Sequence, residues 1–173
     1  MKMKLIAAAL LLTMMLSAVS CGGGNTATNE TTDTAADTAA VTEAQPIDVP
    51  TLAQTLATSC AFSEELMSND VYLKNHMYGF GVEDLVAYAA YVPVSITPEE
   101  VFVFETKTED AAKALADKLG DYVAYQISQY SDYAAAQVPK LDKPVIVTKG
   151  CVVVYIISED NAAAAEVVKG LIG

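Results

Sequence analysis

The chain predicts an α+β domain: a four-stranded, mainly antiparallel sheet with helices on one face, in the order αββαββα. Three observations carry this. Val101-Phe102-Val103-Phe104 is a β-branched and aromatic run suited to a strand. Pro144 to Ile157 holds two apolar runs broken by Lys149-Gly150, the pattern of a hairpin. Glu109 to about Tyr130 repeats its apolar residues at helical spacing.

Taken in order, Thr51 to Met67 predicts the first helix, with Leu52, Leu56, Cys60 and, with some drift, Leu66 on one side. Val71 to Met77 adds a short helical turn. Asp84 to Val94, rich in Tyr, Val and Ala, predicts a strand that Pro93 stops. Thr97-Pro98-Glu99-Glu100 has the form of a capping box with proline at the first helical position. The run that follows belongs in a strand, so the box is expected as one tight turn. Thr108 then caps the long helix, whose inner face is expected to hold Ala112, Leu115, Leu119, Tyr122, Val123 and Ile127. Gln137 to Asp142 is a connector around Pro139. A strand from Pro144 through Thr148, a reversal at Lys149-Gly150 and a return strand from Cys151 to Ile157 follow. Ser158 is expected to cap a last helix from Glu159 to about Leu171.

Ahead of this domain, residues 1–20 have the form of a signal peptide. Lys2 and Lys4 precede an apolar stretch from Leu5 to Leu16, and the small residues Ser17, Ala18 and Ser20 lead to Cys21. The stretch is too short for a good membrane span, which needs about 20 apolar residues. It resembles a bacterial lipobox, which implies that Cys21 receives a diacylglyceryl group on its thiol and becomes the new N-terminus. Ala18 departs from the leucine most often found three places before that cysteine. Two or three acyl chains, at about 0.8 kcal/mol per buried CH₂, hold a protein to a bilayer stably. Residues 21–50 then change to Gly, Thr, Ala, Asn, Asp and Glu, a composition that buries too little apolar surface to offset ordering entropy. A flexible tether of this length spans roughly 30 Å. The single domain is therefore expected over residues 51–173, on the extracytoplasmic side of a cell membrane.

Charge narrows the partners. The net charge is −12, and loss of Lys2 and Lys4 with the signal would take it to −14; the chain contains no arginine. Nucleic acid is excluded as a favoured partner, because phosphate binding rests on clustered Lys and Arg. Direct adhesion to an anionic lipid surface is disfavoured for the same reason.

The order of segments after the tether is itself a signature. The leucine-rich helix, the strand Tyr88-Ala89-Ala90-Tyr91-Val92, the stretch Glu99-Glu100-Val101-Phe102-Val103-Phe104, the connector Val138-Pro139-Lys140-Leu141 and the hairpin from Val147 to Ile157 together resemble the bacterial lipoprotein family known as domain of unknown function 4358. The resemblance implies a small envelope-associated domain and carries over no activity, cofactor or catalytic residue.

Candidate chemistry is sparse. His76 is the only histidine, so a histidine-rich zinc site is excluded and a Ser-His-Asp triad could use only that residue. Gly79-Phe80-Gly81 lacks the strand-turn-helix setting of a phosphate loop, and nothing calls for a cofactor or metal. Glu64-Glu65, Glu99-Glu100 and Glu159-Asp160 could supply the paired carboxylates of a hydrolase, or simply be favoured at helix ends and on solvated surface. Cys60 and Cys151 could form a disulfide, which export permits, or serve as two buried small hydrophobes. Among the many tyrosines, Tyr88 and Tyr91 are the candidates to face a ligand, on the expectation that one sheet face is left uncovered. The functional expectation is a lipid-tethered, non-enzymatic binding or accessory module with a protein or glycan partner; a small hydrolase and a structural spacer are the alternatives.

Overall fold

The computed structural model describes residues 46–76 and 85–173; the side chains of 74–76 lie outside that description. Cys21, the signal and tether before residue 46, and Gly79-Phe80-Gly81 are likewise outside it. Among the described residues ten elements follow one another: α1 (Val49–Ser59), β1 (Met67–Ser68), α2 (Asp70–His76), β2 (Leu85–Val92), β3 (Glu100–Thr106), α3 (Glu109–Tyr133), a 3₁₀ helix (Ala135–Leu141), β4 (Val145–Lys149), β5 (Val152–Ile157) and α4 (Asn161–Ile172).

The sheet is antiparallel but has five strands, in the order β1-β2-β3-β5-β4. The extra strand is Met67-Ser68, paired with Val92 and Tyr91. Two residues are too few to show a period of two, and this is why the sequence predicts four strands. α1 starts at Val49 behind an Asp48 cap whose carboxylate accepts from the Thr51 amide. The helix thus starts two residues ahead of the expected Thr51. The first helix also ends at Ser59 rather than Met67, and Leu66 reaches the core from the segment that follows.

Helices cover both faces of the sheet, not one. Val101, Phe102, Val103 and Phe104 are all buried, as is every residue of β5, so both alternating sets of side chains need cover. On one side Phe102, Phe104, Val153, Tyr155 and Ile157 pack against Leu73 of α2 and the inner face of α3. On the other, Val101, Val103, Val154 and Ile156 meet Leu52 and Leu56 of α1 and Ala164 and Val168 of α4. The continuous apolar runs in β3 and β5 were the sequence signal for this arrangement.

Local signals fare unevenly. Thr108 caps α3 by accepting from the Ala111 amide, and the β4–β5 reversal uses Gly150 at φ +56°, where a side chain would be strained. The residues 97–99 form no turn of helix, and the Thr97 hydroxyl is buried without a hydrogen-bond partner, so the capping box does not assemble. Asp160, not Ser158, caps α4; the Ser158 amide and hydroxyl instead donate to Asn161 Oδ1. On α3 the inner face turns by one residue, so Gln126 is buried while Ile127 is exposed.

A two-sided core makes a clear stability prediction. Phe102→Ala should cost about 3–5 kcal/mol in denaturant unfolding, because it empties a fully buried ring site. Ile96→Ala, at an exposed position, should change stability by less than about 0.5 kcal/mol.

Candidate functional site

The start of β3 brings two neighbouring carboxylates into opposite halves of the molecule. Successive strand residues alternate faces, so Glu99 and Glu100 point apart although both are buried. Glu99 accepts from the Ser63 amide at 2.9 Å, the Ser63 hydroxyl at 2.5 Å and Lys140 Nζ at 2.9 Å. Lys140, carried by the 3₁₀ helix, also donates to Glu159 just ahead of α4. Burial works to lower the Lys140 pKa, but its hydrogen bonds to Glu159 and Glu99 prevail and hold it above the ordinary lysine value. The same bond to Lys140 draws the Glu159 carboxyl below its usual range.

Glu100 has different company. Gln126 Nε2 donates to its Oε1 at 2.8 Å and the Tyr122 hydroxyl to its Oε2 at 3.4 Å. The Tyr155 hydroxyl donates to Gln126 Oε1 at 2.9 Å, and the Tyr72 and Tyr122 hydroxyls lie 3.5 Å apart. Phe102 floors the group, its ring stacked on Tyr155 with centroids 5.4 Å apart. Burial drives the Glu100 pKa up to about 8, against the pull of the hydrogen bonds from Gln126, Tyr122 and Tyr155. Burial first, and the nearby Glu100 charge second, push Tyr72 up to about 12 and Tyr122 and Tyr155 well above the ordinary phenol value. This is a neutral acid sealed in an aromatic core. The sequence marked Glu100 as an acid of interest, but Gln126, its principal partner, carried no signal beyond its spacing on α3.

An accessible concavity among the described residues lies elsewhere, beside β4. A depression of about 470 Å³ runs past Lys140, Val145, Val147, Glu159, Asn161 and Ala165. A second, of about 360 Å³, continues past Val147, Lys149, Ala165, Lys169 and Ile172. They share Val147 and Ala165 and so form one groove between an edge strand and α4. Asn161 stiffens its upper end: its Nδ2 donates to the carbonyls of Lys140 and Asp142 while its Oδ1 accepts from Ser158. Neither depression includes Glu100 or its tyrosines.

The remaining sequence candidates are dispersed. Tyr88 and Tyr91 are three residues apart on β2 and take opposite faces, both half-buried: Tyr88 packs beside α3's core and Tyr91 beside that of α1 and α4. The uncovered tyrosine face expected from the sequence does not exist in this sheet, because helices occupy both sides. Cys60 and Cys151 are free thiols. Cys60 neighbours Ala61, whose carbonyl accepts from Glu159 beyond the end of β5, whereas the Cys151 carbonyl accepts from Thr106 at its start. Val152 to Ile157 separates those ends by about 17 Å, and a disulfide needs Cα atoms within about 7 Å, so these two cannot bridge in this fold. Glu64 is tied by the Ser95 amide and hydroxyl, which hold its pKa down, and Asp160 is used as a helix cap. Among the described residues no three His, Cys, Asp or Glu side chains converge, and no helix is long and apolar enough to cross a membrane.

What these features define is a small two-sided α+β domain with a sealed acid in its core and an open groove at one sheet edge. Residues 59–158 match the family model described as Domain of unknown function (DUF4358), and the chain belongs to that family. That span includes Glu99, Glu100, Gln126 and Lys140, and ends before α4. Neither the curated proteins nor the solved structures gave a match.

The two carboxylates generate separate predictions. A raised folded-state pKa means that Glu100 contributes stability fully below the ordinary carboxylate pKa, and that this contribution is lost as pH rises towards about 8. The stability of the wild type relative to Glu100→Gln should therefore fall between about pH 5 and about pH 8, by up to about 1.4 kcal/mol per unit, in urea titrations. A pH-independent difference would contradict the sealed environment. At the other acid, Lys140→Met strands a fully buried Glu99 and should destabilise by about 3–5 kcal/mol in the same assay, far more than Glu159→Gln at its half-exposed partner.

Proposed function

We propose that the chain is a lipid-tethered, extracytoplasmic binding module of the cell envelope, without catalytic activity of its own. The observation that carries the binding role is the groove beside β4, an accessible concavity bounded by a strand with a free edge. Its walls mix apolar and polar side chains, as a recognition surface requires. A hydrolase using paired carboxylates draws no support from the geometry: Glu99 and Glu100 diverge, Glu99 and Glu159 share one lysine, and Glu100 lies beyond the reach of either depression.

The location rests on Cys21 and the segments around it. A basic start, an apolar run and small residues before a cysteine suit export and acylation, and the acidic tether keeps the domain clear of an anionic headgroup layer. Membrane attachment then depends on the lipid rather than on any surface of the domain. Expressed in a bacterial host, the wild-type chain should sediment with membranes, incorporate labelled fatty acid and show acyl chains in its intact mass. Cys21→Ser should do none of these; membrane partition equal to wild type would refute the assignment.

A further inference from the structure

We infer that the β4–α4 groove binds an extended polypeptide segment as a sixth strand, with an acidic end beside Lys149 and Lys169 and a basic end beside Glu159 and Asp160; this rests on the binding role proposed above.

The edge supplies the first argument. Among the described residues β4 pairs with β5 on one side only, and no described strand lies along its outward amides and carbonyls. Natural edges are usually blunted by a bulge, a proline within the strand or an inward charge. Here Pro144 precedes the strand and Val145-Ile146-Val147-Thr148 pairs with β5 in unbroken register. The one lysine of the strand, Lys149, sits at its last position and is drawn aside to the Gly173 carbonyl at 2.9 Å.

The helix supplies the second. α4 anchors itself to the sheet through Ala164 and Val168; Ala165 and Ile172, half-buried against the same core, also border the groove, and exposed Ala162 lines its upper end. Small alanine side chains leave the width for a neighbouring backbone, and an overhanging helix shelters one face of an added strand. Strand addition of this kind draws affinity from main-chain hydrogen bonds and specificity from alternate side chains.

Charge selects the occupant. In a chain of net charge −12, this strip is instead polarised. Around one end Asp142, Glu159 and Asp160 outnumber Lys140 and Lys143, and Lys140 is already held by Glu99 and Glu159. Around the other, Lys169 lies 3.8 Å from Glu166, so the net positive charge there is that of Lys149. Between them the floor is Val147 and Ala165. The complementary partner is a β-prone segment with an uncharged middle and opposite charges at its two ends, and a second copy of β4, with Lys143 ahead of it and Lys149 at its last position, does not match it.

The test uses the full chain in detergent and a short fluorescent peptide of alternating valine and threonine with aspartate first and lysine last. Binding should be saturable by anisotropy and should slow amide hydrogen exchange within residues 145–149. A version of the peptide with prolines at alternate central positions should fail to bind, because it lacks the donors a strand requires. Lys149→Glu combined with Lys169→Glu, both on exposed side chains, should weaken the original peptide at least about tenfold, and Ala165→Tyr should block it by filling the groove. Equal binding of the proline peptide, or binding without protection of β4, overturns strand addition. So does protection of β4 that rises with protein concentration in the absence of peptide, which would assign the edge to a second copy. If peptide binding fails while Cys21 still carries acyl chains, strand addition falls and the lipid-tethered assignment survives; peptide binding by a chain that proves unacylated leaves strand addition standing and removes the envelope location.

Discussion

The antiparallel pairing of β3 with β5 is the constraint from which the rest of the domain follows. Six register pairs, from Glu100 with Ile157 to Glu105 with Val152, run through the middle of the sheet, and between those two glutamates β3 presents apolar side chains on both faces. A strand that is apolar on both sides cannot rest against water on one of them. α3 with α2 must close one face and α1 with α4 the other, and β2 and β4 are left to flank the pair. The two cores are therefore not alternatives in strength but two halves of one requirement.

The same pleat explains why two adjacent glutamates meet unlike fates. A shift of one residue along β3 moves a carboxylate from the α1 side, where Ser63 and an ammonium await it, to the α3 side, where it finds only amide and phenol groups. Glu99 thereby ties together three pieces of chain that are distant in sequence: the segment after α1, the 3₁₀ helix and the entry to α4. Glu100 instead joins α3 to β5 through Gln126 and Tyr155. Both fasten the end of the sheet at which the groove opens. A pocket edge built on such fixed elements keeps its shape without a ligand, and this is the condition under which binding loses least to ordering.

Tether and groove fit one picture of function. The proposed lipid at Cys21 would confine an acidic, arginine-free chain that an anionic bilayer surface repels, and would leave the surface of the domain free. The edge of β4 offers backbone groups, and the groove beside it carries side chains of both charges around an uncharged middle at Val147 and Ala165.

Local chemistry made much of this legible in advance. Thr108 before an acidic first turn, Gly150 between two β-branched runs and Pro93 after a strand each act through their own backbone, and each stands where the sequence placed it. Membership of the family was legible too, from the order of segments. Tertiary structure alone decided what depends on partners far along the chain: that Met67-Ser68 extends the sheet, that Gln126 rather than Ile127 turns inward to meet Glu100, and that Cys60 and Cys151 stand at opposite ends of β5. It also decided that Asp160 takes the cap offered to Ser158, and that Tyr88 and Tyr91 serve packing on opposite faces. The physical reason is common to all of these. A cap or a turn is settled by a few neighbouring backbone groups, whereas a face, a buried acid or a groove exists only after remote segments have been brought within a few ångströms of each other.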